Sequence, residues 1–448
     1  LSAGQDFTVL ATNGQVKLSE GELYAANNLD VTAASLSDVS TRDKARFAGA
    51  DNTLLVSGEA SIDGSTWGAD KALSGTFDSL SVGANGATIH AGTTVGLSTT
   101  NDLTMANAAV GSTGDMTLTA SAGNISTTLG KGQGIQTTNG NLSLTAGNGL
   151  NNAGTITADI GSVTARVDGT LNNSGTLHAK TTVDIADKAN SSTENILNSG
   201  TLIADGSLVA KAASFTNQAG ATVQGTTGTT VTATALINDG TFIASDTAGQ
   251  SGNFTLSSLS NSGTLQSKED LGLNVKGTLA NTGKLLASND LLVNAATSAL
   301  AISNTNPGVI QAGNALTITG ANATFNTQSG TVLGNTTGIT VSSLNNSGTL
   351  QSNASMNLAI AEGLTNSGTL LAKTSLSSDS ASVTNSGTLQ ANDGSTIKAT
   401  GALDNSGLLL LSASATKAGT LNVGTLSNTG AGIIQSAQDL VINVSGDT

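Results

Sequence analysis

Chemistry in a protein needs side chains that ionise, coordinate or attack, and this sequence holds few of them. It has no cysteine and only two histidines, His90 and His178. That excludes a thiolate zinc site, a cysteine nucleophile and a disulfide framework, and leaves too few ligands for a multi-histidine metal centre. Beyond residue 80 the acidic residues are scattered singly. The nearest pairs, Asp184 with Asp187 and Glu269 with Asp270, stand beside Lys188 and Lys268. They read as exposed turn charges rather than as the converging acid and base of a polysaccharide lyase or hydrolase. His178 takes a place that Gln351 and Gln390 fill in similar segments, so it is expected at the surface. Serine is abundant, but neither histidine has a local context suited to Ser-His-Asp catalysis. The run Gly130-Lys-Gly-Gln-Gly134 lacks the spacing and the following Ser/Thr of a phosphate loop and reads as a turn. Without any Gly-Gly pair, the calcium-binding nonapeptide is excluded as well. The threonine-rich stretch over residues 226–234 invites an ice-binding reading, which needs a Thr-x-Thr face at every repeat, and none recurs so strictly. No catalytic residue, metal or cofactor is assigned, and the chain is expected not to be an enzyme.

One stretch stands apart. Residues 1–80 hold the only tryptophan, Trp67, the only tyrosine, Tyr24, and two of the three arginines, Arg42 and Arg46. The run from Asp38 to Phe47 interrupts the rhythm seen elsewhere. Trp, Tyr and Arg are common interface anchors, so Tyr24, Arg42, Arg46 and Trp67 are candidate partner contacts. The plainer alternative is an irregular loop, or atypical end repeats with solvated charges.

Composition narrows the class. The 448 residues carry a formal net charge of -14, which argues against a nucleic-acid partner. With 37% apolar residues, 10% charged residues and a single proline, the chain is not of the disordered type. No apolar stretch is long enough to span a membrane as a helix. Starting at Leu1, the sequence reads as a processed product or an excised piece.

Internal repetition decides the fold. Leu171-Asn-Asn-Ser-Gly-Thr-Leu-His-Ala179 aligns with the segments over residues 344–352, 364–372 and 383–391. The pattern is apolar-x-Asn-x-Gly-x-apolar-x-small. Its asparagine recurs as Asn152, Asn173, Asn198, Asn238, Asn261, Asn281, Asn346, Asn366, Asn385, Asn405 and Asn428, with expanded copies at Asn217, Asn304 and Asn326. Between copies lies a second pattern, a turn residue followed by Leu-x-apolar-x-small, as over residues 102–106, 141–146 and 290–295. Both patterns alternate with period two and are therefore strands, and Gly, Asn and Ser break the chain too often for long helices. A coil of about 21 residues with two or three short strands is one rung of a parallel β-helix, stable only between neighbours. Apolar side chains point inward and stack between rungs. Aromatics are bulky for so narrow a bore. The glycine of each Asn-x-Gly is expected at positive φ at a corner, and the asparagines are expected to stack as an amide ladder of turn residues. Pro307 falls in an expanded turn, where it deletes no ladder hydrogen bond.

These alternating motifs resemble the stalk repeats of filamentous haemagglutinin and of contact-dependent growth inhibition exoproteins. The resemblance covers residues 101–448 as regular β-helix repeats, and residues 1–100 as irregular, more charged coils with a possible loop outside the helix. It implies an all-β, right-handed parallel β-helix on the outer surface of a Gram-negative bacterium, secreted through an outer-membrane transporter barrel. An early disulfide would obstruct such threading, which suits the missing cysteine. The Asn-Pro-Asn signature of the family's secretion domain is absent, and the segment reads as internal stalk. The function implied is a monomeric rod that projects a distal binding or toxin region toward a host or bacterial cell surface, for adhesion, biofilm formation or contact-dependent inhibition. The alternative is a protein that binds or degrades extracellular polysaccharide on the same fold.

Overall fold

The structure, a computed structural model, describes residues 1–40, 46–83, 85–128, 134–295 and 299–446, with the backbone alone at Arg46. Among the described residues every regular element is a β-strand. The chain divides into two compact units, Leu1–Thr226 and Thr227–Thr448, and each is a parallel β-solenoid.

The second unit shows the rung at its most regular. A four-residue strand, Thr349–Ser352, leads through a turn into a long bent strand, Met356–Asn366, and a corner at Ser367-Gly368 returns the chain to the next short strand, Thr369–Ala372. Like stacks on like: Leu350 pairs with Leu370, Leu370 with Leu389, and Leu389 with Leu409. In the short strands the second and fourth residues are buried and the first and third face out, as period-two alternation requires. The long strands shift register at their bend, between Ile360 and Gly363 for example, which lets one strand serve two faces. Within the first unit much of that length is split in two, as in Leu142–Ala146 and Leu150–Asn152.

Two features of the core differ from the sequence-based expectation. Trp67, Phe47, Phe77, Phe215, Phe242, Phe254 and Phe325 are among the most completely buried side chains. The bore therefore admits aromatics, and admits them where a neighbour is small. A Cβ at Gly75 would lie 2.5 Å from the Phe77 ring, and one at Gly252 would lie 2.4 Å from the Cβ of Ala244. The corner glycines also have a different cause. Of the Asn-x-Gly corners, Gly430 takes a positive φ, +64°, whereas Gly175, Gly200, Gly263, Gly368, Gly387 and Gly407 do not. Those glycines are required by close approach. A Cβ at Gly368 would stand 2.2 Å from the carbonyl oxygen of Gly348, and one at Gly387 would stand 2.1 Å from that of Gly368. At these corners the backbone rests on the corner below, with no room for a side chain.

Candidate functional site

Each corner asparagine is the third residue of an apolar-x-Asn sequence that ends a strand, so its side chain points inward. In the second unit the amide of Asn238 donates to Asn261 Oδ1 at 2.8 Å, Asn261 to Asn281 at 2.7 Å, and Asn281 to Asn304 at 2.7 Å. After one interruption Asn346 donates to Asn366 at 2.7 Å, Asn366 to Asn385 at 2.8 Å, Asn385 to Asn405 at 2.8 Å, and Asn405 to Asn428 at 2.7 Å. The first unit repeats this from Asn152 through Asn173 and Asn198 to Asn217. Most of these Nδ2 groups also reach a backbone carbonyl at the start of the short strand that follows the partner asparagine, as from Asn366 to Thr388 O at 2.9 Å. The asparagine's own carbonyl accepts two N–H groups of the following corner, those of Ser386 and Gly387 for Asn366. With at most 1% of Asn366, Asn385 and Asn405 exposed, these bonds satisfy groups that water cannot reach.

The expanded copies behave unequally. Asn217 and Asn304 are fully buried and take part in the ladder. Asn326 does not: it pairs in register with Asn345, and the neighbouring Thr327 takes the buried place, donating through Oγ1 to Asn346 Oδ1 at 2.8 Å. Thr127 does the same toward Asn152 at 2.7 Å. A second ladder went unread in the sequence. The turn residue before each Leu-x-Leu segment accepts the backbone N–H of its counterpart one rung on: Asp102 from Asn124, Asp115 from Asn141, Asn141 from Ser162, and Asp290 from Ala315. The Asp/Asn preference at that place was the available signal, because both residues carry the required acceptor.

The four candidate contact residues do not form one surface. Tyr24 is 41% exposed on the outer side of the strand Glu22–Ala25. Trp67 is 0% exposed, so its assignment as a contact is corrected: it is a core residue. It packs against Phe47 with ring centroids 4.8 Å apart and donates from Nε1 to Asp38 Oδ2 at 2.9 Å. Asp38 is itself fully buried, and its Oδ1 has no hydrogen-bond partner among the described residues. Burial pushes its carboxyl above the usual carboxylate range, against the opposing effect of the Trp67 and Ser65 hydrogen bonds. Arg42 lies outside the described residues, as do residues 130–133 of the glycine-rich run. Arg46 begins the strand Arg46–Gly49.

Some of the remaining charges pair outside the core. Asp184 is not a turn charge: it lies in the strand Thr182–Ala186 and meets Arg166 of the preceding rung at 2.6 Å. Lys188 contacts Asp168 at 3.1 Å. His178 faces outward and meets Asp205 at 3.2 Å, while Lys180 reaches the same carboxylate at 2.9 Å. The Lys180 hydrogen bond, followed by that of His178, holds Asp205 below the usual carboxylate range. The Ser191 hydroxyl and backbone N–H do the same for Asp187. Among the described residues no group of three or more His, Asp or Glu converges as metal ligands would.

The ladders give the arrangement a mechanical chemistry: it transmits order from rung to rung. Neither a curated protein nor a solved structure matches the chain. The family model for the haemagglutinin repeat does, over residues 120–200, 188–251, 245–305, 294–344, 323–407 and 410–448. These matches cover about three quarters of the sequence and contain the Asn-x-Gly corners from Asn152 to Asn428. The chain therefore belongs to the haemagglutinin-repeat family of filamentous adhesin-type exoproteins, of which it forms a stretch of stalk.

Proposed function

We propose that this stalk is exported through a dedicated outer-membrane barrel of a Gram-negative cell, coils outside it, and projects a distal region toward another cell or surface. The observation that supports this most is the succession of side-chain and backbone ladders within each unit, joined to the six repeat matches. A protein of this build gains length by adding rungs, since each needs only its neighbours. The absence of cysteine leaves no covalent cross-link to oppose threading. Adhesion, biofilm cohesion and contact-dependent inhibition are the uses open to the distal region.

Surface labelling of the producing cell tests the proposal. An antibody against the exposed 188–192 turn should label intact cells, and labelling should vanish when the cognate outer-membrane barrel transporter is deleted while total protein persists inside. Equal labelling without that transporter would overturn the export route.

A further inference from the structure

The outward face of the first unit carries a polar groove of about 590 Å³. Two columns of side chains build it. In one, Ser37 pairs with Ser61, Ser61 with Ser81, and Ser81 with Thr104. In the other, Glu59 pairs with Ser79, and Asp102 follows one rung on, its carbonyl accepting the N–H of Leu80. Parallel strands repeat at about 4.8 Å, so hydroxyls line the first column at that interval and the carboxylates of Glu59 and Asp102 stand roughly 10 Å apart in the second.

Apart from one oxygen of Asp102, these groups are not used by the fold. Among the described residues, no protein group engages the hydroxyls of Ser37, Ser61, Ser79 or Ser81. Glu59 is exposed. Asp102 commits only Oδ1, to Asn124. No described residue lining the groove is basic. The nearest cation in the serine column, Lys17, is in register with Ser37 and sits at the groove's end, on the same strand as the lining residue Gln15.

From this arrangement we infer a binding site for an amino-sugar oligosaccharide laid along the solenoid axis. The serine column offers donors and acceptors to sugar hydroxyls. The two carboxylates complement ammonium groups through charge-assisted hydrogen bonds. Their charge, added to the chain's net -14, repels sulfated or uronic glycans. The inference does not depend on the export route: it requires only that the first unit be folded.

The test is calorimetric titration of the full chain with fully deacetylated chitotetraose, its acetylated counterpart and a heparin-derived tetrasaccharide. The deacetylated probe should bind saturably. Glu59→Gln should weaken it about tenfold, as the loss of one charge-assisted bond implies, and Glu194→Gln, an exposed change outside the groove, should leave it unaltered. The double variant Ser61→Val/Ser81→Val should abolish binding, with valine suited to the strand. Four results overturn the inference: no saturable binding, equal binding of the acetylated or heparin probe, equal weakening by Glu59→Gln and Glu194→Gln, or unchanged affinity in the folded double variant. Should the double variant not fold, the exposed Glu59→Gln change still decides.

Discussion

Asn366 sits mid-ladder, and its removal has a calculable cost. It accepts from Asn346 at 2.7 Å, donates to Asn385 at 2.8 Å, and donates to Thr388 O at 2.9 Å. Asn366→Ala deletes three buried hydrogen bonds, each worth roughly 1 kcal/mol net, about 3 kcal/mol in all. Asn366→Thr is the natural control, because Thr327 occupies an equivalent place and keeps one bond to the next asparagine; its cost should be intermediate. A solenoid need not unfold in one step, so a global melt is the wrong assay. Native-state hydrogen exchange is local. The N–H groups of Ser386 and Gly387 donate to the Asn366 carbonyl, and in the alanine variant their exchange should accelerate roughly a hundredfold, since 1.4 kcal/mol is a factor of ten. The threonine variant should fall between, and amides of the first unit should not change. If alanine and threonine behave alike, or if the acceleration stays below about threefold, the ladder does not stabilise the corner as argued.

Two further outcomes follow from the core. Gly368→Ala places a Cβ against a backbone oxygen, whereas a Cβ at Gly338 meets nothing within 4 Å; the first change should destabilise the surrounding rungs by more than about 2 kcal/mol and the second should stabilise them by roughly 0.5 kcal/mol, read from native-state hydrogen exchange of those rungs. Asp38 has a folded-state pKa raised above 3.8, so its contribution is most favourable below the unfolded value and is lost as pH rises through the raised one. Asp38→Asn should therefore gain on wild type in thermal stability between about pH 4 and pH 7; an equal difference at both values would refute the assignment.

The period-two alternation made the parallel coil legible, because the same pattern returns every 19 to 25 residues and only stacking uses it. Phase was the harder matter. Thr66-Trp67-Gly68-Ala69 fits the same Thr-apolar-x-small pattern as Thr349-Leu350-Gln351-Ser352, which puts Trp67 at the inward place of Leu350. The irregular run before it hides that phase, and the rarity of tryptophan carries no information about its exposure. Tyr24, in Glu22-Leu23-Tyr24-Ala25, holds the outward place. The corner glycines were identified correctly as necessary but for the wrong reason, since a sequence does not reveal how closely two backbones approach. Thr327 was missed because its hydroxyl substitutes for an amide that the repeat pattern assigns to Asn326.

The asparagine columns have a direction. In each Asn-to-Asn bond of the corner column, and in the bonds from Thr127 and Thr327, the donor reaches toward the rung that follows in sequence. Such bonds align their dipoles and polarise one another. At any moment during coiling from the amino-terminal side, the last completed rung offers a hydrogen with no acceptor, and the next asparagine to arrive supplies the oxygen. The face left at the other end of a column presents an oxygen instead, so the two ends of a coil are chemically distinct and each selects an incoming corner by chemistry as well as shape.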